Sequence, residues 1–167
     1  MIAYEHIHRY AYASQFVDRM RVLDLGSGEG YGASLLADRA DFVIGLELDP
    51  VTAAHAEHKY TRQNLRFLAA SGVQIPLVAL FDVGVCLETL GYIDNRGGVI
   101  REVRRLLKPN DFLIVSTSDG KNDSEQTKSP QAFNERSLDF EGLQQLLESH
   151  FGKTLFLGQR VHGNSNS

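Results

Sequence analysis

The chain has 167 residues, of which 43% are hydrophobic and 23% charged, with a net charge of -4 and one cysteine, Cys86. This composition fits one domain able to bury a sizeable core, and a single cysteine excludes an intramolecular disulfide and a cysteine-based zinc site. No cluster of Lys and Arg supplies the electrostatic footprint that nucleic acid requires, and no apolar run approaches the ~20 residues of a membrane span.

Residues 2–20 read as a mostly helical lead-in with Tyr4, Ile7, Ala11 and Phe16 or Val17 as its inward face. Its His6, His8, Arg9 and Tyr10 form a dense polar-aromatic group that is either a ligand-facing cluster or an ordinary solvated helix face. Arg21–Leu25 is a short buried strand, followed by the turn Gly26-Ser27-Gly28-Glu29-Gly30 and a helix over 31–39 carrying Tyr31, Leu35, Leu36 and Ala40 at helical spacing. Glycines there let the backbone turn sharply, and helix N–H groups facing the gap favour a polar or anionic ligand. The G-x-G-x-G spacing departs from the G-x-G-x-x-G of nicotinamide and flavin binders, and the strand acid Asp24 suits a cationic group where a pyrophosphate is repelled. A ligand-free βα turn is the alternative.

A second strand over 41–46 ends at Glu47-Leu48-Asp49-Pro50, and Pro50 opens a helix over 51–61. An acid closing the strand after a glycine turn, about 20 residues on, is where such folds hold the two ribose hydroxyls, and Glu47 occupies that place. His55 and His58 on the helix have no evident third metal ligand, so no metal is expected. A third strand over 64–69 runs into Ser71, Gly72 and Val73, which would border the base of a nucleoside resting on Glu47, with Leu48 and Val73 as apolar walls. A plain Ser-Gly turn is the alternative.

A fourth strand over 81–87, a loop over 88–95, a helix over 97–107 stopped by Lys108-Pro109-Asn110, and a fifth strand over 111–116 continue the alternation. Such alternation gives a parallel sheet with ligands at the C-terminal strand ends. The polar stretch 118–136 has the composition of a lid or of a disordered segment. A helix over 138–150, a sixth strand over 153–157 and an unstructured tail over 159–167 complete a single domain over 1–158.

Taken together, Val22 to Gly32, Gly45-Leu46-Glu47, the 67–77 segment, Phe81-Asp82-Val83 and Arg104-Arg105-Leu106-Leu107-Lys108-Pro109 resemble class I S-adenosylmethionine-dependent methyltransferases. Glu5-His6-Ile7-His8-Arg9-Tyr10, Glu88-Thr89 and the 151–159 ending look like a bacterial subgroup associated with glycan and lipopolysaccharide genes. The resemblance implies an α/β Rossmann-like three-layer sandwich with a mostly parallel sheet, here without the last antiparallel strand, in a cytoplasmic protein. It further implies that Asp24 and the turn of Gly26, Ser27, Gly28 and Gly30 hold the aminoacyl end of the cofactor, with Arg9 and Tyr10 toward its carboxylate. By the same comparison Glu47 holds the ribose, and Leu48, Ser71, Gly72, Val73 and Leu87 line the rest of the site.

The implied chemistry is transfer of a methyl group to a small-molecule or sugar-containing acceptor. Alignment can supply up to ~7–11 kcal/mol, and a general base adds ~10²–10⁴-fold. Relatives carry Glu-His where this chain has Gly91-Tyr92, and a later histidine position is Asn134, so only His6, His8 and Tyr92 stand as catalytic candidates. A cofactor-binding domain without transferase activity and, behind it, a nicotinamide-dependent oxidoreductase are the competing functions. An open sheet edge would make a homodimer the expected partner arrangement.

Overall fold

The computed structural model describes residues 4–117 and 138–158. The 118–136 segment, Asn134 and the 159–167 tail therefore lie outside the described residues, as does the Tyr4 side chain. Five strands, β1 (Arg21–Leu25), β2 (Phe42–Glu47), β3 (Leu65–Ala69), β4 (Phe81–Leu87) and β5 (Leu107–Ser116), form one sheet in the order β3-β2-β1-β4-β5. Every pairing is parallel. The order reverses at β1, whose neighbours leave in opposite directions along the sheet, and that switch point is where open α/β sheets form a ligand crevice.

Alternation along the strands builds the layers. Leu23 and Leu25 face a core shared with α4 (Arg96–Leu106) and α5 (Phe140–Glu148), whereas Val22, Val43, Val83 and Val85 face Tyr10, Ala13, Ala33 and Leu36 of α1 (Tyr4–Ala13) and α2 (Tyr31–Leu36). The third helix in chain order, α3 (Pro50–Lys59), starts at Pro50 because the Asp49 side chain accepts from the Thr52 amide at 2.9 Å. Asn95 and Asp139 cap α4 and α5 in the same way.

Several sequence expectations are corrected. The buried face of α1 is Tyr10 and Ala13, continued by Val17, while Ile7, Ala11 and Phe16 are exposed. The helix pattern over 31–39 closes at Leu36, followed by a turn. No sixth strand exists among the described residues: 153–157 pairs with nothing in the sheet. Lys108-Pro109-Asn110 does not separate α4 from the last strand but lies within β5 as a bulge. Leu107 pairs with Phe81 and Phe112 with Val83, so four residues of β5 oppose Asp82 alone. Asn110 takes φ +70° there, a conformation asparagine tolerates, and Lys108 ion-pairs with Asp82.

One close approach sets how α1 sits. A Cβ at Gly32 would lie 2.2 Å from the Tyr10 ring, which is 1% exposed and cannot swing away. Gly32→Ala is therefore expected to cost about 1–3 kcal/mol by overpacking, more than alanine's helix preference returns. Urea unfolding of the two proteins checks it.

Candidate functional site

At the C-terminal end of β1 the chain leaves the sheet through Gly26 (φ +71°) and Gly28 (φ +53°). Gly26 is required twice over, by its φ and because a Cβ would meet the Thr89 side chain at 2.3 Å. Thr89 donates from Oγ1 to the Leu25 carbonyl at 3.1 Å, which ties the end of β4 to the end of β1. Four of the turn's amides are already satisfied. Gly26 and Ser27 donate to the Leu46 carbonyl at 2.8 and 3.0 Å, Gly28 donates to Glu47 Oε2 at 2.9 Å, and Gly30 donates to the Ser27 carbonyl at 3.0 Å. The turn itself is thus a braced shelf ahead of the helix N-terminus.

Glu47 is the brace. Its Oε1 accepts from the Leu48 and Asp49 amides at 2.8 and 3.1 Å, so one carboxylate fixes both the glycine turn and the entry to α3. Three of its roughly four lone-pair sites are thus taken, which leaves one on Oε2, and Glu47 remains in the wall of a cleft of about 950 Å³.

That cleft opens over the ends of β1, β2 and β4. Leu46, Glu47 and Leu48 with residues 70–73 form one wall; Leu87, Glu88, Thr89 and residues 92–95 form the other. Leu25 and Gly26 are the floor, Val99 closes the α4 side, and His6 and Arg9 reach in from α1. The structure therefore brings together Arg9, Gly26, Glu47, Leu48, Ser71, Gly72, Val73, Leu87, His6 and Tyr92 from the sequence candidates.

Others fall outside the lining. Tyr10 and Asp24, 1% and 0% exposed, lie beneath the cleft, and the Tyr10 hydroxyl donates to both Asp24 oxygens at 3.0 and 3.2 Å. Tyr10 consequently has no hydroxyl turned toward a ligand carboxylate, and Asp24 meets a phenol rather than a cation. Burial pushes the Asp24 carboxyl up to about 8, with the Tyr10 hydrogen bond pulling in the opposite direction. Burial likewise pushes the Cys86 thiol up to about 12, which leaves it unreactive. Ser27, Gly28 and Gly30 shape the turn behind the lining, and His8 is an exposed residue of α1 outside it. Ser71 builds a turn, its hydroxyl accepting from the Val73 amide at 3.4 Å.

Of the far wall, sequence reasoning named Leu87 and Tyr92 as site residues but gave Glu88 no role of its own. Glu88 sits at the end of β4 with φ +57°, a strained conformation for a residue with a side chain and one that recurs at functional sites. Its Oε1 pairs with Arg9 at 2.8 Å and accepts from the Ser116 hydroxyl at 2.9 Å, linking α1, β4 and β5 across the cleft mouth. The available signal was position: Glu88 leaves the strand beside the switch point, as Glu47 does on the other side. Among the described residues no group of three or more metal-ligating side chains occurs, and no helix is long and apolar enough to cross a membrane.

Comparison with known proteins agrees with this architecture. Residues 23–115 match the model of a family described as a methyltransferase domain. A probable S-adenosylmethionine-dependent methyltransferase of Mycolicibacterium smegmatis is 34% identical over 129 residues, 77% of this chain and 50% of that protein. The YcgJ protein from Bacillus subtilis superposes with a TM-score of 0.72 at 20% identity, over 87% of this chain and 68% of that one. An amino pentose methyltransferase of calicheamicin biosynthesis from Micromonospora echinaspora, solved with S-adenosylmethionine bound, gives a TM-score of 0.61 at 24% identity, over 68% and 50% of the two chains. The chain spans half or less of the length of the first curated relatives it matches. With more than half of its residues matched and the sheet order and cleft in place, the chain belongs to the type 11 methyltransferase domain family.

Proposed function

We propose that the domain binds S-adenosylmethionine in the cleft at the strand tips and transfers its methyl group to a small-molecule or sugar-containing acceptor. The observation that carries this is Glu47, a carboxylate fixed by three backbone amides at the tip of β2 and exposed to the cleft beside the apolar Leu48 and Val73. Vicinal ribose hydroxyls are donors; the open site on Oε2 would receive one, and the other would be received in exchange for one of the amides.

The donor set fits the cofactor. Glu47 would hold the ribose, Leu48 and residues 71–73 would border the adenine, and Gly26 and Leu87 would flank the sulfur end. Arg9 would hold the methionyl carboxylate by exchanging its Glu88 partner, two groups already in one wall. Asp24, buried below Gly26, does not line the site and would act on the ammonium through space only in its ionised form. When bound, the cofactor supplies an electrophilic methyl group that needs only an aligned acceptor. Glu88, Thr89 and Tyr92 border the space left for that acceptor, with Tyr92 89% exposed and free to be covered by it. A narrower assignment, an acceptor on a glycan or its sugar precursor, rests on the likeness of the 5–10 and 88–89 motifs to a glycan-associated bacterial subgroup.

Calorimetry with S-adenosylmethionine, S-adenosylhomocysteine and NAD, followed by transfer of labelled methyl groups to a panel of sugars and amino sugars, tests the proposal. Binding of both sulfur nucleosides, no binding of NAD and label in a panel member are expected. Binding without transfer to any acceptor tried favours a cofactor-binding domain; binding of NAD alone overturns the assignment. Because β5 is an edge strand, two copies pairing through it form part of the same proposal. Sedimentation showing a clean monomer at high concentration removes that part.

A further inference from the structure

One imidazole in the cleft wall has half of its hydrogen-bonding capacity committed and half idle. His6 Nδ1 lies 2.6 Å from the Tyr31 hydroxyl, whereas His6 Nε2 is buried and has no hydrogen-bond partner. The ring is boxed by aromatic edges, T-shaped to Tyr10 at 5.4 Å and to Tyr31 at 5.7 Å between centroids. Tyr10 is itself locked by its bond to Asp24 and by the close approach of Gly32. The contacts that fix the ring leave Nε2 unspent. A buried polar atom without a partner is costly, and such an atom in a native structure calls for a use.

Burial, with the Asp24 charge adding, pushes the Tyr31 phenol up to about 12, so at ordinary pH it is a neutral hydroxyl able to donate to Nδ1 or accept from it. With the ring proton on Nδ1, Tyr31 accepts it and Nε2 presents a lone pair. When Nε2 gains a proton the Nδ1–H bond to Tyr31 persists, so the ring need not turn. This is the arrangement of a base oriented by a second group. Glu88, in the same lining, is engaged by Arg9 and Ser116.

Resting on the methyltransferase assignment above, we propose that His6 is a catalytic residue whose Nε2 takes the proton lost by the acceptor, and that Tyr31 is a positioning residue holding the ring through Nδ1. In that step the acceptor's O–H or N–H bond breaks, its electron pair stays on the acceptor heteroatom, and an Nε2–H bond forms; the proton passes to water after product release. The acceptor is thereby assigned to a class, a hydroxyl or an amine, and not a carbon or thioether nucleophile.

The test reads binding, so no identified acceptor is needed. Calorimetry is run with S-adenosylhomocysteine and with sinefungin, the cofactor analogue in which an amine-bearing carbon replaces the methyl-bearing sulfur and so puts a protic nitrogen where the acceptor meets the methyl group. His6→Ala is expected to weaken sinefungin more than S-adenosylhomocysteine by about 10-fold or more, the worth of one hydrogen bond to a charged group. Tyr31→Phe shifts the same ratio by less. Nitrogen-15 spectra of the parent protein read the contact without any substitution: the Nε2 resonance of His6 moves with sinefungin and far less with S-adenosylhomocysteine. Equal losses for both ligands, an unchanged ratio, or an Nε2 resonance indifferent to the amine overturns the role of His6. Binding of neither ligand to the parent protein overturns the methyltransferase assignment itself.

Discussion

Asp24→Asn is expected to give a more stable protein, by several kcal/mol at pH 9 and by progressively less as the pH falls toward 4. Asp24 is fully buried between β2 and β4, and the Tyr10 hydroxyl is the partner that its side chain has, so its ionised form lacks a cation. Its carboxyl is raised from 3.8 to about 8 in the folded chain. Between those values the native state keeps a proton that the unfolded state has lost, so stability falls as pH rises, by roughly 1.4 kcal/mol per unit for this one group. The loss is complete above the folded value and absent below the unfolded one. Asparagine has nearly the same shape, accepts from Tyr10 through its amide oxygen and does not titrate. Urea unfolding of both proteins from pH 4 to 9 checks this: a constant difference, or one that grows toward low pH, contradicts the burial of an unpaired acid.

Glu47→Ala is expected to lower affinity for S-adenosylhomocysteine by about 10² or more, since two hydrogen bonds to a charged group are worth roughly 1.5–3 kcal/mol each. The same substitution strips the acceptor from the Gly28 amide and the one shared by the Leu48 and Asp49 amides at the entry of α3, so a loss of about 1–3 kcal/mol in stability should accompany it. Glu47→Gln separates the two effects, because one amide oxygen still receives a backbone N–H but no longer carries charge. Calorimetry and thermal melts of the three proteins decide the matter. Unaltered affinity in a folded Glu47→Ala protein contradicts the ribose role.

The sheet was legible in the sequence because β1, β2 and β4 are short apolar runs that close on Gly26, Glu47 and Glu88, and β4 was placed to the residue. The strand expected over 153–157 failed for a physical reason: its alternation of Leu155 and Leu157 satisfies the period of a strand, yet both side chains are exposed and no neighbour pairs with them. Lys108-Pro109-Asn110 was read as the stop between the helix and the last strand, but a bulge can hold such residues inside a ladder. At the site, Glu47 stood out because its spacing from the glycines is fixed by the βαβ unit. Glu88 did not, since its place depends on which strand lies beside β1, a fact of topology and not of local pattern. The burial of Tyr10 on Asp24 was equally hidden. A helix period marks which face turns inward, but only the gap over Gly32 shows that one aromatic ring passes under the turn instead of over it.

The most direct measurement is a crystal structure of the protein with S-adenosylhomocysteine. The expected density lies in the cleft at the ends of β1, β2 and β4, with both ribose hydroxyls within hydrogen-bond distance of Glu47 and the adenine against Leu48 and Val73. A nucleoside bound elsewhere, or in that cleft with its ribose turned away from Glu47, contradicts the assignment.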